Sequence, residues 1–367
     1  MCAEYTTEVV YDSRIIVVNY AFDPSNPLLS HQYEAVKYFA AHFKEVIVIT
    51  GHEGSYPPME NVTVHSTSWE PGKKLWNIYR LLKTSIPILG RRNYSSVFFH
   101  MTDVQSAILS PIIWILGKPQ FLWYAHTTKS KYLSVSSFWV DSIVTSTAGS
   151  CPIRSSKILP IGQAVDQSLF PFGRHDKKTF KKFIHVGRFD KSKRVDEIIL
   201  AVSKLRAEFD DLELLLVGST ANKDSREWAD HVIENSTPYV EAGWLKFHEA
   251  IPKSQFAQLV SSHDIFVHKY DGSLDKTLIE ATLLGVPVIT TNPEYISIFG
   301  SWEGTLKPTI IDEYRAITMK KNAELQKELF RRSQIAISNH SLENWGKRMS
   351  EILMVKAARG FNQSEIL

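Results

Sequence analysis

The chain has 367 residues, more than a single hydrophobic core usually serves, so two domains are expected. At 44% hydrophobic and 22% charged, with a net charge of +3, it reads as a globular protein rather than a disordered or nucleic-acid-binding one. Its two cysteines, Cys2 and Cys151, exclude a disulfide framework and suit a reducing cytoplasm. The first residues carry Glu4, Glu8 and Asp12 and lack the basic and apolar regions of a secretory signal. The longest uncharged stretch, 104–117, contains Pro111 and falls short of the roughly 20 residues a spanning helix needs. A cytoplasmic protein that does not cross the membrane is the expectation.

Short β-branched runs alternate with longer amphipathic segments, the sequence form of βαβ units. Strands are expected at 14–19, 46–50, 62–65, 96–100, 121–124, 142–146 and 158–161, with helices at 32–43 and 73–82 among them. The stretch 166–182 breaks the alternation. It is rich in Pro, Gly and charge, including Pro171, Arg174, Lys177 and Lys178, and reads as an interdomain linker. Strands are then expected at 183–186, 212–217, 244–247, 264–268 and 286–290, with helices at 195–208, 226–233, 253–261 and 276–284 between them. Two doubly wound α/β domains, roughly 1–170 and 180–340, facing a central cleft follow from this pattern. Ligands of such sheets bind beyond the carboxyl ends of the strands.

Two strand-end loops carry candidate chemistry. After 183–186 come Gly187, Arg188 and, opening a helix, Lys193 and Arg194, a set able to cradle phosphate with the helix dipole's help. The bland alternative is a solvated charge run. The second loop reads Asp271-Gly272-Ser273-Leu274-Asp275-Lys276-Thr277, with Glu280 one turn into an otherwise apolar helix. Its backbone N–H groups are open to an anion. A buried Glu280 needs a partner, either a ribose diol or a structural cation.

In this order and spacing the residues resemble the GT-B glycosyltransferases of glycosyltransferase family 4 (glycosyl transferases group 1). The matching pieces are Gly187-Arg188, Lys193, Val217-Gly218, Glu280-Ala281 and Gly285-Val286-Pro287-Val288-Ile289. Weaker echoes in the first half are His126 and the run Ile161-Gly162-Gln163-Ala164-Val165-Asp166, and the helix from Leu342 to about Ala357 looks like the family's returning helix, so that 341–358 would join the first domain. The resemblance implies two Rossmann-like domains and retaining, metal-independent transfer of a hexose-type sugar from a nucleotide-sugar donor. Arg188 and Lys193 would hold the diphosphate and His126 would reach the sugar. Glu280 would bind the ribose, and the donor site would include Gly187, Gly218 and the 271–277 loop. No cofactor and no metal is implied, and the sequence has no HExxH, cysteine cluster or Asp-x-Asp. The chain departs from the family in having Gly272 where a glutamate is usual, Arg194 where glycine is common, and Asn19-Tyr20-Ala21 in place of a Gly-Gly loop.

Between Pro71 and Val140 nine Lys or Arg residues face one acid, Asp103. The segment from Lys73 to Lys83 interleaves them with Trp76 and Tyr79, as a helix at an anionic membrane surface would. A core-facing helix with a solvated basic face is the plainer alternative. A glycan or lipid-linked acceptor in surface polysaccharide or glycoconjugate assembly, met at the cytoplasmic face of the membrane, would fit the charge. The competing functions are a sugar-nucleotide epimerase or phosphorylase on the same scaffold, and a two-domain sugar-binding protein without catalysis. A nicotinamide dehydrogenase is disfavoured by the lack of a GxGxxG after either first strand.

Overall fold

A computed structural model describes residues 11–26, 29–173, 179–220 and 222–354. The chain divides into two compact units, Met1–Ala164 with Leu342–Leu367, and Val165–Ser341. The first unit runs β1 (Tyr11–Phe22), α1 (Ser30–His42), β2 (Phe43–Glu53), β3 (Val62–Ser66), α2 (Lys74–Gly90), β4 (Ser96–His100), α3 (Asp103–Ile115), β5 (Gln120–Trp123), α4 (Lys131–Trp139), β6 (Ser142–Thr145) and β7 (Ile158–Pro160). Its seven strands are parallel in the order β3-β2-β1-β4-β5-β6-β7.

The second unit contains β8 (Lys182–Val186), α5 (Val195–Leu205), β9 (Glu213–Gly218), α6 (Lys223–Asn235), α7 (Thr237–Glu241), β10 (Leu245–Glu249), α8 (Lys253–Ser261), β11 (Ile265–His268), α9 (Lys276–Leu283), β12 (Val288–Thr290), α10 (Pro293–Phe299), α11 (Ile310–Thr318) and α12 (Asn322–His340). Its five parallel strands follow the order β10-β9-β8-β11-β12. The last helix, α13 (Leu342–Met354), belongs to the first unit.

Strands covered on both faces must be apolar on both, and β1 shows it. Ile15 and Val17 turn into a core shared with α1 and α13, while Ile16 and Val18 enter one shared with α2, α3 and α4. Trp345 of α13 is fully buried among the rings of Phe39, Phe98, His100 and Trp123. Gly346 lets α13 approach α1, because a Cβ there would fall 2.3 Å from the Tyr38 ring.

Several expectations need correction. The segment 104–117, read only for its length, is helix α3 with Pro111 inside it; α4 falls between two expected strands without having been given bounds, and α7, α10, α11 and α12 had no counterpart in the sequence reading. Helix α2 continues past residue 82, through Pro87, to Gly90. The expected linker is in part packed structure: Phe170 is buried edge-on to Phe256, and Phe172 covers Gly285, whose added Cβ would lie 2.7 Å from that ring. Charge and proline dominate its composition, but the two phenylalanines decide its placement. Arg174, Lys177 and Lys178 lie outside the described residues, as do Cys2 and the end of the last helix at Ala357.

Candidate functional site

In the second unit the strand order reverses direction between β8 and β11, the place where a doubly wound sheet opens a crevice. The two loops singled out from sequence leave the sheet on either side of it. After β8 the chain needs room, and glycine supplies it. A Cβ on Gly218 would come 1.9 Å from the carbonyl oxygen of Gly187, so the ends of β8 and β9 meet backbone to backbone. The buried Phe189 anchors the loop, and Asp190 caps the single 3-10 turn Lys191–Lys193 by accepting from the Ser192 amide at 3.0 Å. Arg188 is half-exposed, with its Nε 3.5 Å from Asp190.

Lys193 is buried, and its surroundings hold it in one place. Its Nζ lies 2.5 Å from Asp275 Oδ2 and 3.9 Å from the centre of the Tyr270 ring. Asp275 also caps α9, accepting from the Thr277 amide at 3.2 Å, and stands 3.4 Å from His268 Nε2. Burial alone would raise the Asp275 pKa, but Lys193 and His268 hold its carboxyl well below the usual range. Burial, reinforced by the neighbouring His268, pushes His185 down to about 3, and burial also lowers His268.

The loop between β11 and α9 is fixed from beneath. The Asn292 side chain, fully buried, donates to the carbonyls of Tyr270 (2.7 Å), Gly272 (3.2 Å) and Ser273 (3.4 Å), and its own oxygen caps α10 at Tyr295. Above it, Arg194 pairs with both Glu197 and Asp271, and Asp271 accepts from the Thr291 hydroxyl at 2.8 Å. Three strand-end loops are thereby tied together. Gly272 has no room for a side chain: a Cβ would fall 2.1 Å from the Tyr270 ring. Ser273 and Leu274 are buried within this turn.

Helix α9 is largely apolar, as an interior helix must be, and Glu280 is the one carboxylate within it. Glu280 is 1% exposed and pairs through Oε1 with Lys253, the first residue of α8, whose ammonium also stands 5.0 Å from the Phe170 ring centre. Its second oxygen, Oε2, is buried without a hydrogen-bond partner among the described residues. Lys276, one turn earlier, has its pKa pushed down to about 8, first by burial and then by the like charge of Lys253.

Of the residues chosen from sequence, Lys193, Asp271, Asp275 and the 271–277 loop come together, and Gly187 and Gly218 touch. Glu280 already has a cation, so its pairing is not left to a ribose alone. Asp271 and Asp275, the two acids near Gly272, are both engaged by cations. Sequence reasoning missed Tyr270, His268, Asn292 and Lys253. Tyr270 and His268 stand at the end of a strand, and Lys253 opens a helix after one, which was the available signal. His126 lies in the first unit, exposed just beyond β5, with its ring 5.9 Å from that of Tyr124.

Residues 167–309 match the family model described as Glycosyl transferases group 1. No curated protein matches the chain by sequence. Among solved structures, the chain resembles sucrose-phosphate synthase from Thermosynechococcus elongatus, with a TM-score of 0.72 at 14% identity over 93% of this chain and 98% of that one. It also resembles Anabaena HepE in complex with UDP, with a TM-score of 0.70 at 13% identity over 93% and 99% of the two chains. A glycosyltransferase from Rickettsia africae gives a TM-score of 0.72 at 14% identity over 95% and 100%. At such identities the likeness establishes the fold, which is GT-B.

Proposed function

Because residues 167–309 of this GT-B chain match the model of the glycosyl transferases group 1, we propose that it is a retaining, metal-independent hexosyltransferase using a nucleotide-sugar donor. The observation that carries this reading is the buried Lys193, fixed between Asp275 and Tyr270 at the switch point of the second sheet. A preorganised cation beside a helix N-terminus stabilises the charge that builds on a departing nucleotide diphosphate, with no reorganisation at the moment of transfer. Arg188, half-exposed and more loosely held, supplies a second cation, and with both a divalent metal has no necessary part. Glu280 Oε2 is a free acceptor for a ribose hydroxyl. His126 serves the sugar, and the donor loop is 271–277 with Gly187 and Gly218. The complexes of HepE with UDP support a uridine nucleotide as the first donor to try.

The acceptor in this reading is a glycan or lipid-linked glycan, and the protein works at the cytoplasmic face of a membrane in peripheral contact with anionic lipid. The test is transfer from a panel of nucleotide sugars, with EDTA present and the product anomer read by NMR. Arg188→Ala and Lys193→Ala are each expected to lower turnover about 100-fold or more in folded protein. Wild-type turnover in both would overturn the assignment, and isomerised donor or free sugar phosphate as product would replace transfer by epimerase or phosphorylase chemistry.

A further inference from the structure

Helices α2, α3 and α4 cover the same face of the first sheet. Leu81 and Ile88 of α2, Leu109 and Ile113 of α3 and Leu133 of α4 share one core with Ile16 and Val18. The outer side of this helical layer is unusual. Half of the large apolar side chains exposed among the described residues lie on these three helices. On α2 they are Leu75, Trp76, Tyr79 and Ile86; α3 ends in Trp114 and Ile115, 58% and 74% exposed, and α4 presents Val135 and Phe138, the latter 74% exposed. The last two helices meet through an aromatic cluster, with Trp114 5.5 Å from Trp139 and Phe138 edge-on to Trp139 at 5.0 Å.

Cations accompany these rings. Arg80 stands 5.1 Å from the Trp76 ring centre, and Lys83 Nζ is 5.9 Å from that of Tyr79. Lys73 and Lys74 open α2, Arg91 and Arg92 close it, and Lys118 follows α3. The one acid of the whole stretch, Asp103, lies at the N-terminal end of α3, twelve residues from Ile115.

We propose that the outer face of the α2–α3–α4 layer docks on an anionic lipid bilayer, with Trp114, Ile115 and Phe138 entering the interface and the lysines and arginines meeting the headgroups. The composition selects this occupant. Interfaces between proteins are depleted in lysine, whereas bilayer interfaces favour Trp and Tyr beside long basic side chains that reach back to the headgroups. Glu70 pairs with Lys73 at 2.5 Å and with Arg80 at 3.4 Å, yet the face stays net positive, and it complements an anionic leaflet over a range of about 8 Å at physiological ionic strength. Apolar insertion then holds what the charge attracts. The inference rests on the reading of a lipid-linked acceptor and extends it from the basic segment of α2 to a surface built by three helices.

The test is co-sedimentation of the full chain with vesicles of phosphatidylcholine alone or mixed with phosphatidylglycerol, with the UDP-induced thermal shift measured on the same samples. The chain should pellet with the anionic vesicles at low salt and not with the neutral ones. Trp114→Ser with Phe138→Ser, and separately Lys73→Glu with Lys74→Glu, should each lower partition about tenfold or more while the UDP shift is kept. These side chains are exposed, so folding is preserved, and the retained shift verifies it. An unchanged partition in the apolar variant would leave only charge adsorption and overturn the docking face. So would failure to pellet at low salt, or self-association of the free protein that the apolar substitutions abolish without any vesicle binding. Loss of the UDP shift with vesicle binding intact would count against the transferase reading and not against this surface.

Discussion

At Arg194 the backbone adopts φ 52° and ψ 42°, a left-handed conformation that costs a residue with a Cβ about 1–2 kcal/mol. Glycine at this position in the resembling family therefore has a backbone reason, and here the ion pairs with Glu197 and Asp271 offset the strain. Arg194→Gly should leave stability within about 1 kcal/mol of wild type, since strain and ion pairs are lost together, yet quicken amide exchange in the 270–275 loop. An unchanged exchange rate there would mean that the strap holds nothing. Gly272→Glu, which restores the family's usual acid, should weaken nucleotide binding about tenfold by driving Tyr270 off Lys193, and titration calorimetry would read it. The lowered pKa of Lys276, about 8, gives a pH test with a definite sign. If its cation meets the donor phosphates, UDP affinity falls as pH rises from 7 to 9, and Lys276→Met flattens the curve. Strand-end placement made Arg188, Lys193 and Glu280 legible in the sequence. Their partners were not, because Asp275 reaches Lys193 across 82 positions and Lys253 reaches Glu280 across 27, and local pattern carries no such distances.

Among the elements, the strands were the most readable, because parallel strands buried on both faces are continuous apolar runs. Helix α12 escaped for the opposite reason: its buried side mixes Leu325, Leu329 and Ala336 with Arg332, Ser333 and His340, so the apolar period is broken. Helix α3 is apolar on too many sides for a period to stand out, and Pro111 disguised it further. Helix α11 adds a chemical feature that no pattern suggests. Its Glu313 is buried and accepts from the amides of Trp302 (2.7 Å) and Glu303 (3.0 Å). Burial, only partly opposed by those bonds, lifts its pKa to about 7. The folded unit thus favours the protonated acid, so this group's contribution is full below about pH 4.5 and is lost as pH rises through about 7. Glu313→Gln should therefore gain stability relative to wild type across that window, on the order of 2–3 kcal/mol by pH 8, in urea melts at a series of pH values. A constant difference between the two proteins would show that Glu313 is ionised throughout.

For the molecule as a whole, the two sheets have separate cores, and the candidate donor groups Lys193, Asp275 and Glu280 all belong to the second. A donor nucleotide at about 100 times its dissociation constant should add about 2.7 kcal/mol. Amide protection should rise in 187–194 and 268–280 while β1 to β5 stay unchanged, and protection confined to the first sheet would place the nucleotide elsewhere. The return of α13 to the first unit has a consequence for biosynthesis. The socket of Phe39, Phe98, His100 and Trp123 is made early in translation, yet the Trp345 that fills it is made only after the whole second unit. At roughly 5–20 residues per second, the chain from Ala164 to Leu342 takes on the order of 10–40 s to appear. For that interval the nascent first domain shows the ribosome's surroundings an open aromatic cavity, a natural landing place for a chaperone. A premature stop codon before Leu342 would leave the cavity open permanently and send the product to aggregation rather than to an inactive but folded enzyme.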